Sequence, residues 1–220
     1  MRLNKFLAHA TGMSRRQADD MITHGRVSIN GQTASLGAPV AETDNVMVDG
    51  KIIGQQQHYS YILLHKPVGY ICSRRRQGDT PTIYELLPEK YRLLKPVGRL
   101  DKDSSGLLLL SDDGDFAHRM TFPGFSKTKV YEVTLNKPLE PLHQQMISDY
   151  GVQLEDGVSK FLVERREHDY VVTMQEGRNR QIRRTFAALG YRVTSLHRTT
   201  FGSYSLGDIK SGEHKLVDMQ

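Results

Sequence analysis

The chain has 220 residues, with 30 lysines and arginines against 25 aspartates and glutamates, a formal excess of +5. That length suits one large domain or a small one beside a larger one, and the charge leans toward polyanions without identifying one. Its single cysteine, Cys72, excludes an internal disulfide and argues against a cysteine-based zinc site, as befits a reducing, cytoplasmic setting.

In chain order, Leu3, Phe6, Leu7 and Ala10 fall at helical spacing and Gly12 stops the helix. Ser14 is the N-cap of a second helix, with Ala18, Met21 and Ile22 as its apolar stripe and Gly25 as its end. Val27 and Ile29 alternate with polar residues before Asn30-Gly31, a hairpin turn signal. A last strand, NVMVDGKII, closes this first unit, residues 1–53. Its polar face carries Arg2, Lys5, Arg15, Arg16 and Arg26, and arginines at a helix N-terminus sit well beside phosphate. Residues 54–58, GQQQH, read as a linker.

From Tyr59 to residue 220 a larger module follows. Strands are expected at YSYILLHK, KTKVYEVTL, FLVERRE, DYVVTMQEG and YRVTSLHRTTFG, and helices at TIYELLP, FAHRM, PLEPLHQQMISDYG and NRQIRRTFAALG. Strands dominate and helices are scattered, so the class is α+β with a mainly antiparallel sheet and flanking helices. The N-terminal segment MRLNKFLAHATG lacks an apolar h-region, and no apolar run approaches the ~20 residues of a membrane span. Neither a leader nor a membrane partner is expected, and with no long apolar face left over the chain reads as a monomer.

One stretch, VGRLDKDSSGLLLL, sets an acid, Asp101, between Arg99 and an apolar run, Leu107 to Leu110, that must be buried on both sides. A carboxylate at such an edge is partly desolvated unless a cation is near; equally, Asp101 simply caps a turn that Ser104 or Ser105 completes. A second cluster, EGRNRQIRRTFAALG, carries Arg178, Arg180, Arg183 and Arg184. Arg180 and Arg184, four apart, are expected on one helix face. Arg183 falls beside the apolar stripe of Ile182 and Phe186, needs a carboxylate, and has Asp101 as its candidate. Tyr131 lies on a strand, where core packing and a flat partner for a base are both open readings. Arg74 and Arg75 stand in a loop of three arginines suited to phosphate. There is no P-loop, dinucleotide turn, metal-like His/Cys cluster or serine elbow, so any reaction is expected to run on one carboxylate with no cofactor and no metal.

Together these motifs resemble the RsuA-type family of ribosomal RNA pseudouridine synthases. RLNKFLAHATGMSRRQADDMITHGRVSINGQ is similar to an S4 (αL-type) RNA-binding domain, and HKPVGYICS, GRLDKDSSGLLLLSDDG, KTKVYEV and EGRNRQIRRTFAALG to the catalytic domain. The resemblance implies Asp101 as the essential aspartate, Tyr131 as the tyrosine against the target base and Arg183 as the aspartate's basic partner. It also implies Leu196 in the pocket wall and Arg99 as the arginine filling the gap left by the flipped base. Because uracil is never released, a closed, dry pocket is needed, and Leu107, Leu109 and Ile182 are further candidates for its walls. Arg74, Arg75, Arg178, Arg180 and Arg184 would hold the backbone of ribosomal RNA or of an assembly precursor. The family usually has threonine where Ser104 stands and asparagine where His65 stands. The phrasing of GVQLEDG and EGRNRQIRR leans slightly to large-subunit members. Two other classes compete: a ribosome-binding S4 protein with a synthase-like fold and no activity, and a metal-dependent nuclease using Asp101, Asp103, Asp112 and Asp113.

Overall fold

The computed structural model describes residues 1–54, 59–167 and 169–219. The expected linker at 54–58 lies, but for Gly54, outside the described residues. The chain divides into two compact units, one of Met1–Ser60 with the short segments Leu93–Lys95 and Asp112–Gly114, the other of all the rest.

The first unit begins with α1 (Leu3–Thr11) and α2 (Arg15–Thr23). Gly12 ends α1 at φ 74°, a conformation that suits glycine. Ser14 caps α2 through a reciprocal pair: its hydroxyl accepts from the Gln17 N–H, and the Gln17 side chain accepts from the Ser14 N–H. The stripes meet as expected: Leu3, Phe6, Leu7, Ala18 and Ile22 are buried with Val27, Val40, Val46 and Val48. A small antiparallel sheet, in the order β2-β1-β3-β4, covers them, with β1 (Val27–Ile29), β2 (Gln32–Thr33), β3 (Val46–Val48) and β4 (Lys51–Ile52). Asn30 and Gly31 have φ 51° and 82°, the signature of the two-residue hairpin turn. The expected single closing strand is instead a second hairpin, because Asp49 and Gly50 repeat that geometry at φ 49° and 76°. Asp-Gly is as strong a turn pair as Asn-Gly, so the strand breaks there.

The second unit is built on β5 (Tyr61–Lys66), β6 (Lys95–Val97), β7 (Ser105–Ser111), β8 (Lys129–Leu135), β9 (Val152–Leu154), β10 (Gly157–Ser159), β11 (Leu162–Arg166), β12 (Asp169–Met174), β13 (Val193–Phe201), β14 (Tyr204–Ser205) and β15 (His214–Leu216). The main sheet runs β11-β12-β8-β13-β7-β5-β15, antiparallel except where β13 meets β7. Helices α3 (Gly114–Thr121), α4 (Pro141–Gln145) and α5 (Gln181–Ala188) flank it. Leu107 to Leu110 form the middle of β7 and are fully buried, as their unbroken apolar pattern requires. The parallel join depends on one glycine. A Cβ on Gly106, at φ 108°, would lie 2.2 Å from the carbonyl oxygen of Arg198, so only glycine lets β7 and β13 approach.

Candidate active site

The turn after β6 carries Asp101 and closes through the Ser104 N–H donating to the Asp101 carbonyl at 3.1 Å. The turn-capping reading therefore holds for the backbone, and the carboxylate is left for other partners. Lys66 anchors the turn from below. It ends β5 opposite Gly106 and is fully buried, and its ammonium donates to the carbonyls of Pro67 (3.0 Å), Asp101 (3.0 Å) and Ser104 (2.7 Å). Burial pushes its pKa down from 10.5 to about 8. Sequence reasoning missed Lys66; the one signal was a lysine ending the apolar strand YILLHK.

Arg180 is the cation beside Asp101. Its Nη1 lies 3.6 Å from Asp101 Oδ2, while its two terminal nitrogens clasp Asp103 at 2.8 Å each. Those hydrogen bonds, and then the charge of Arg183, hold the Asp103 carboxyl down at about 2. Arg183, expected to pair with Asp101, is instead committed to Asp103 and the backbone. Its Nη2 donates to the Asp103 carbonyl at 2.7 Å, its Nη1 to the Val193 carbonyl at 2.9 Å, and its Nε is 3.5 Å from Asp103 Oδ2. Arg180 also departs from expectation. It is not on the helix but precedes it, in the left-handed region at φ 46°, so it shares no helix face with Arg184. That single conformation turns its fork back toward the Asp101 turn.

Of these groups, Asp101, Ser104 and Arg180 border a cavity of about 570 Å³, within the ~300–1,000 Å³ typical of small-ligand sites. Asp101, Arg99, Tyr131, Ile182 and Leu196 all line it, so the structure brings together the expected pocket residues and, of the expected catalytic ones, Asp101 and Tyr131. Arg183 stands behind the turn. Tyr131 pairs with Val172 on β12 and Arg198 on β13, which turns its ring to the cavity side of the sheet. Leu107 and Leu109 do not line the cavity; they pack with Leu63, Phe116 and Phe201 in the core. Period-2 alternation sends them to the face covered by α3.

The arginines expected to hold RNA differ among themselves. Arg178 is a structural strut, donating to the carbonyls of Asp156, Gly157 and Val158 and to the Asp156 carboxylate. Arg184 makes a two-pronged pair with Asp156 at 3.0 and 2.7 Å, and Arg26 one with Asp49. Arg74 donates to the Arg92 carbonyl and lies over the Tyr84 ring. Arg2, Arg15, Arg16 and Arg75 are exposed, and Lys5 is half-buried. The departure at His65 has a local use: its Nδ1–H donates to the Ile209 carbonyl at 2.7 Å. Among the described residues no group of three His, Cys, Asp or Glu side chains is placed to hold a metal ion. Nor is any helix of the described residues long and apolar enough to cross a membrane.

Comparison with known proteins finds a family match for each part of the chain. The RNA pseudouridylate synthase family matches residues 60–188, and the S4 domain matches residues 1–46. A ribosomal small subunit pseudouridine synthase A from Pasteurella multocida is 40% identical over 100% of this chain and 97% of its own length. A ribosomal large subunit pseudouridine synthase B from Bacillus subtilis is 33% identical over 96% of this chain and 90% of its own. A crystal structure of a pseudouridylate synthase superposes with a TM-score of 0.71 at 32% identity, covering 99% of this chain and 96% of that one. The relatives divide between the two ribosomal subunits, which leaves the lean toward the large subunit undecided. With a synthase fold behind an S4 domain and relatives matched nearly end to end, the chain belongs to the RNA pseudouridine synthase family.

Proposed function

We propose that this synthase converts one uridine of ribosomal RNA, or of a ribosome assembly precursor, to pseudouridine, with Asp101 as the essential carboxylate and no cofactor. One observation carries the reading: the Asp101 turn, fixed by Lys66 and flanked by Arg180, opens on a cavity walled by Tyr131, Ile182 and Leu196. The reaction breaks the N1–C1′ bond, turns the base and rejoins it through C5. The uridine must first leave its stack, and an apolar slot with a flat tyrosine suits a flipped pyrimidine. Asp101 acts either at the base or at the sugar, where attack at C1′ follows the logic of a retaining glycosidase. Tyr131 packs the base, Arg99 fills the vacated stack, and Arg183 acts on the carboxylate's position through the Asp103 and Ser104 end of the turn. Exposed Arg2, Arg15, Arg16, Arg74 and Arg75, with Lys5, contact phosphates; Arg26, Arg178, Arg180 and Arg184 do so only by sharing or leaving their acidic partners. We place the enzyme in the cytoplasm as a monomer.

For the subunit, we propose small-subunit rRNA on the higher identity to the small-subunit relative, 40% against 33% for the large-subunit one. The test is pseudouridine content in small- and large-subunit transcripts, and in assembly intermediates, incubated with the protein and EDTA. Pseudouridine in the small-subunit RNA alone supports the reading. Pseudouridine in the large-subunit RNA overturns the subunit assignment, and tight binding without pseudouridine in any substrate supports a binding role instead.

A further inference from the structure

Arg198 lies on β13 two residues past Leu196, opposite Tyr131 on β8. It lines the candidate cavity yet is only 2% exposed. Among the described residues its guanidinium makes one hydrogen bond, from Nε to the Leu107 carbonyl at 2.8 Å, and its Nη2 is buried with no partner. The guanidinium carbon sits 4.9 Å from the centre of the Phe201 ring and 6.0 Å from that of Tyr131. No carboxylate among the described residues forms an ion pair with it. Its charged neighbours include two more cations, Lys66 and Lys129; burial foremost, and Arg198's charge in addition, pushes the pKa of both down.

A guanidinium stays charged at any working pH, and a buried charge with no counter-charge is strongly unfavourable. Asp101 and Glu176 line the same cavity, but no carboxylate among the described residues is within ion-pair distance of Arg198, and that cavity is where the substrate base would lie. We propose that Arg198 is a catalytic residue whose counter-ion is the substrate: its guanidinium stabilises the negative charge that uracil acquires during the rearrangement. This rests on the synthase reading of the same cavity.

The charge follows from the bonds. When C1′–N1 breaks, its electron pair stays with uracil, which becomes a monoanion spread over N1, O2 and O4. The C5 electron pair then forms the C5–C1′ bond, the C5 proton leaves, and N1 takes up a proton, so nothing is oxidised or reduced. If the carboxylate adds at C6 instead, the C5–C6 π pair moves toward O4. Each route places negative charge on a carbonyl oxygen of a base held in an apolar cavity. A donor fixed in advance at such a place stabilises the transition state most. Arg198 also shares the strand face of Leu196, another residue of the cavity wall.

The test uses the full chain as wild type, Arg198→Met and Arg198→Lys, in single turnover on the rRNA transcript that wild type modifies. Consumption of the target uridine is compared with that of 5-fluorouridine at the same position, because fluorine stabilises the same anion. Arg198→Met is expected to keep its fold and RNA affinity and to slow uridine consumption by ~100- to 1,000-fold, the usual effect of losing one such donor. The slowing should be at least ~10-fold smaller for 5-fluorouridine, and Arg198→Lys should restore part of the rate. Uridine consumption within ~3-fold of wild type overturns the inference. So does equal slowing of the two bases, which marks a structural role. If Arg198→Met does not fold, the same base comparison on Arg198→Lys decides. Wild type that modifies no rRNA overturns the underlying synthase reading; the variants fail the inference only when wild type is active.

Discussion

Raising the pH should make Lys66 stabilise the fold more and serve the active site less. Its pKa in the fold, about 8, lies below its ordinary 10.5. Between those values the unfolded chain holds the proton and the folded chain does not. Stability therefore rises with pH across that window, and the penalty for the buried charge is fully present below it. At about 1.4 kcal/mol per pH unit, the gap amounts to roughly 3 kcal/mol. The same deprotonation leaves a neutral amine with two N–H groups for the three carbonyls of Pro67, Asp101 and Ser104, so the Asp101 turn loses a tether. Denaturant unfolding of wild type and Lys66→Met, at about pH 7 and about pH 10.5, isolates the term as a difference. Wild type should gain roughly 3 kcal/mol on the variant over that span, while its turnover falls along an alkaline limb near pH 8 that the variant lacks. A stability difference that does not change with pH, or an alkaline limb shared by both proteins, refutes the reasoning.

Gly106→Ala should cost more than about 3 kcal/mol, since its Cβ would strike the Arg198 backbone at a left-handed φ; thermal unfolding close to that of wild type would contradict it. Ser14→Ala removes a capping box and should cost about 1 kcal/mol, read as ~5-fold faster amide exchange in α2. Asp103→Asn frees Arg180 and removes the charge beside Arg183 Nε, and should lower kcat by ~10-fold or more with KM for RNA little changed. Because the Asp103 carboxyl is held at about 2, below its ordinary 3.8, its stabilising contribution is present above 3.8 and lost as pH falls through about 2; the Asn variant should lack that acid loss.

Patterns governed by period and turn chemistry were legible in the sequence. The α1 and α2 stripes, the Ser14 cap, the Asn30-Gly31 turn and the burial of Leu107–Leu110 all follow from local rules, and each appears in the fold. So does the gathering of Asp101, Tyr131, Ile182 and Leu196 at one cavity, which motif resemblance rather than periodicity indicated. What the sequence hid was partner choice. Nothing local says that Arg180 adopts a left-handed φ and reaches the Asp101 turn while Arg183 turns to Asp103 and Val193. Arg178 looked like a phosphate contact because sequence shows a charge but not the Asp156–Val158 carbonyls that surround it. Leu107 and Leu109 were placed in the pocket wall because burial was readable and the choice of sheet face was not. Lys66 and Arg198 went unremarked for the converse reason: both are charged residues whose burial is set by distant strands.

The central claim, that Asp101 performs the isomerisation, is tested most directly by Asp101→Asn, which keeps the side chain's shape and removes its charge. Pseudouridine formation and RNA affinity are measured together on the transcript that wild type modifies, with EDTA present. The expected result is RNA affinity near that of wild type with no detectable pseudouridine. Pseudouridine formed by Asp101→Asn at a rate within ~10-fold of wild type would contradict the account, because a positioned carboxylate that does the chemistry contributes far more than that.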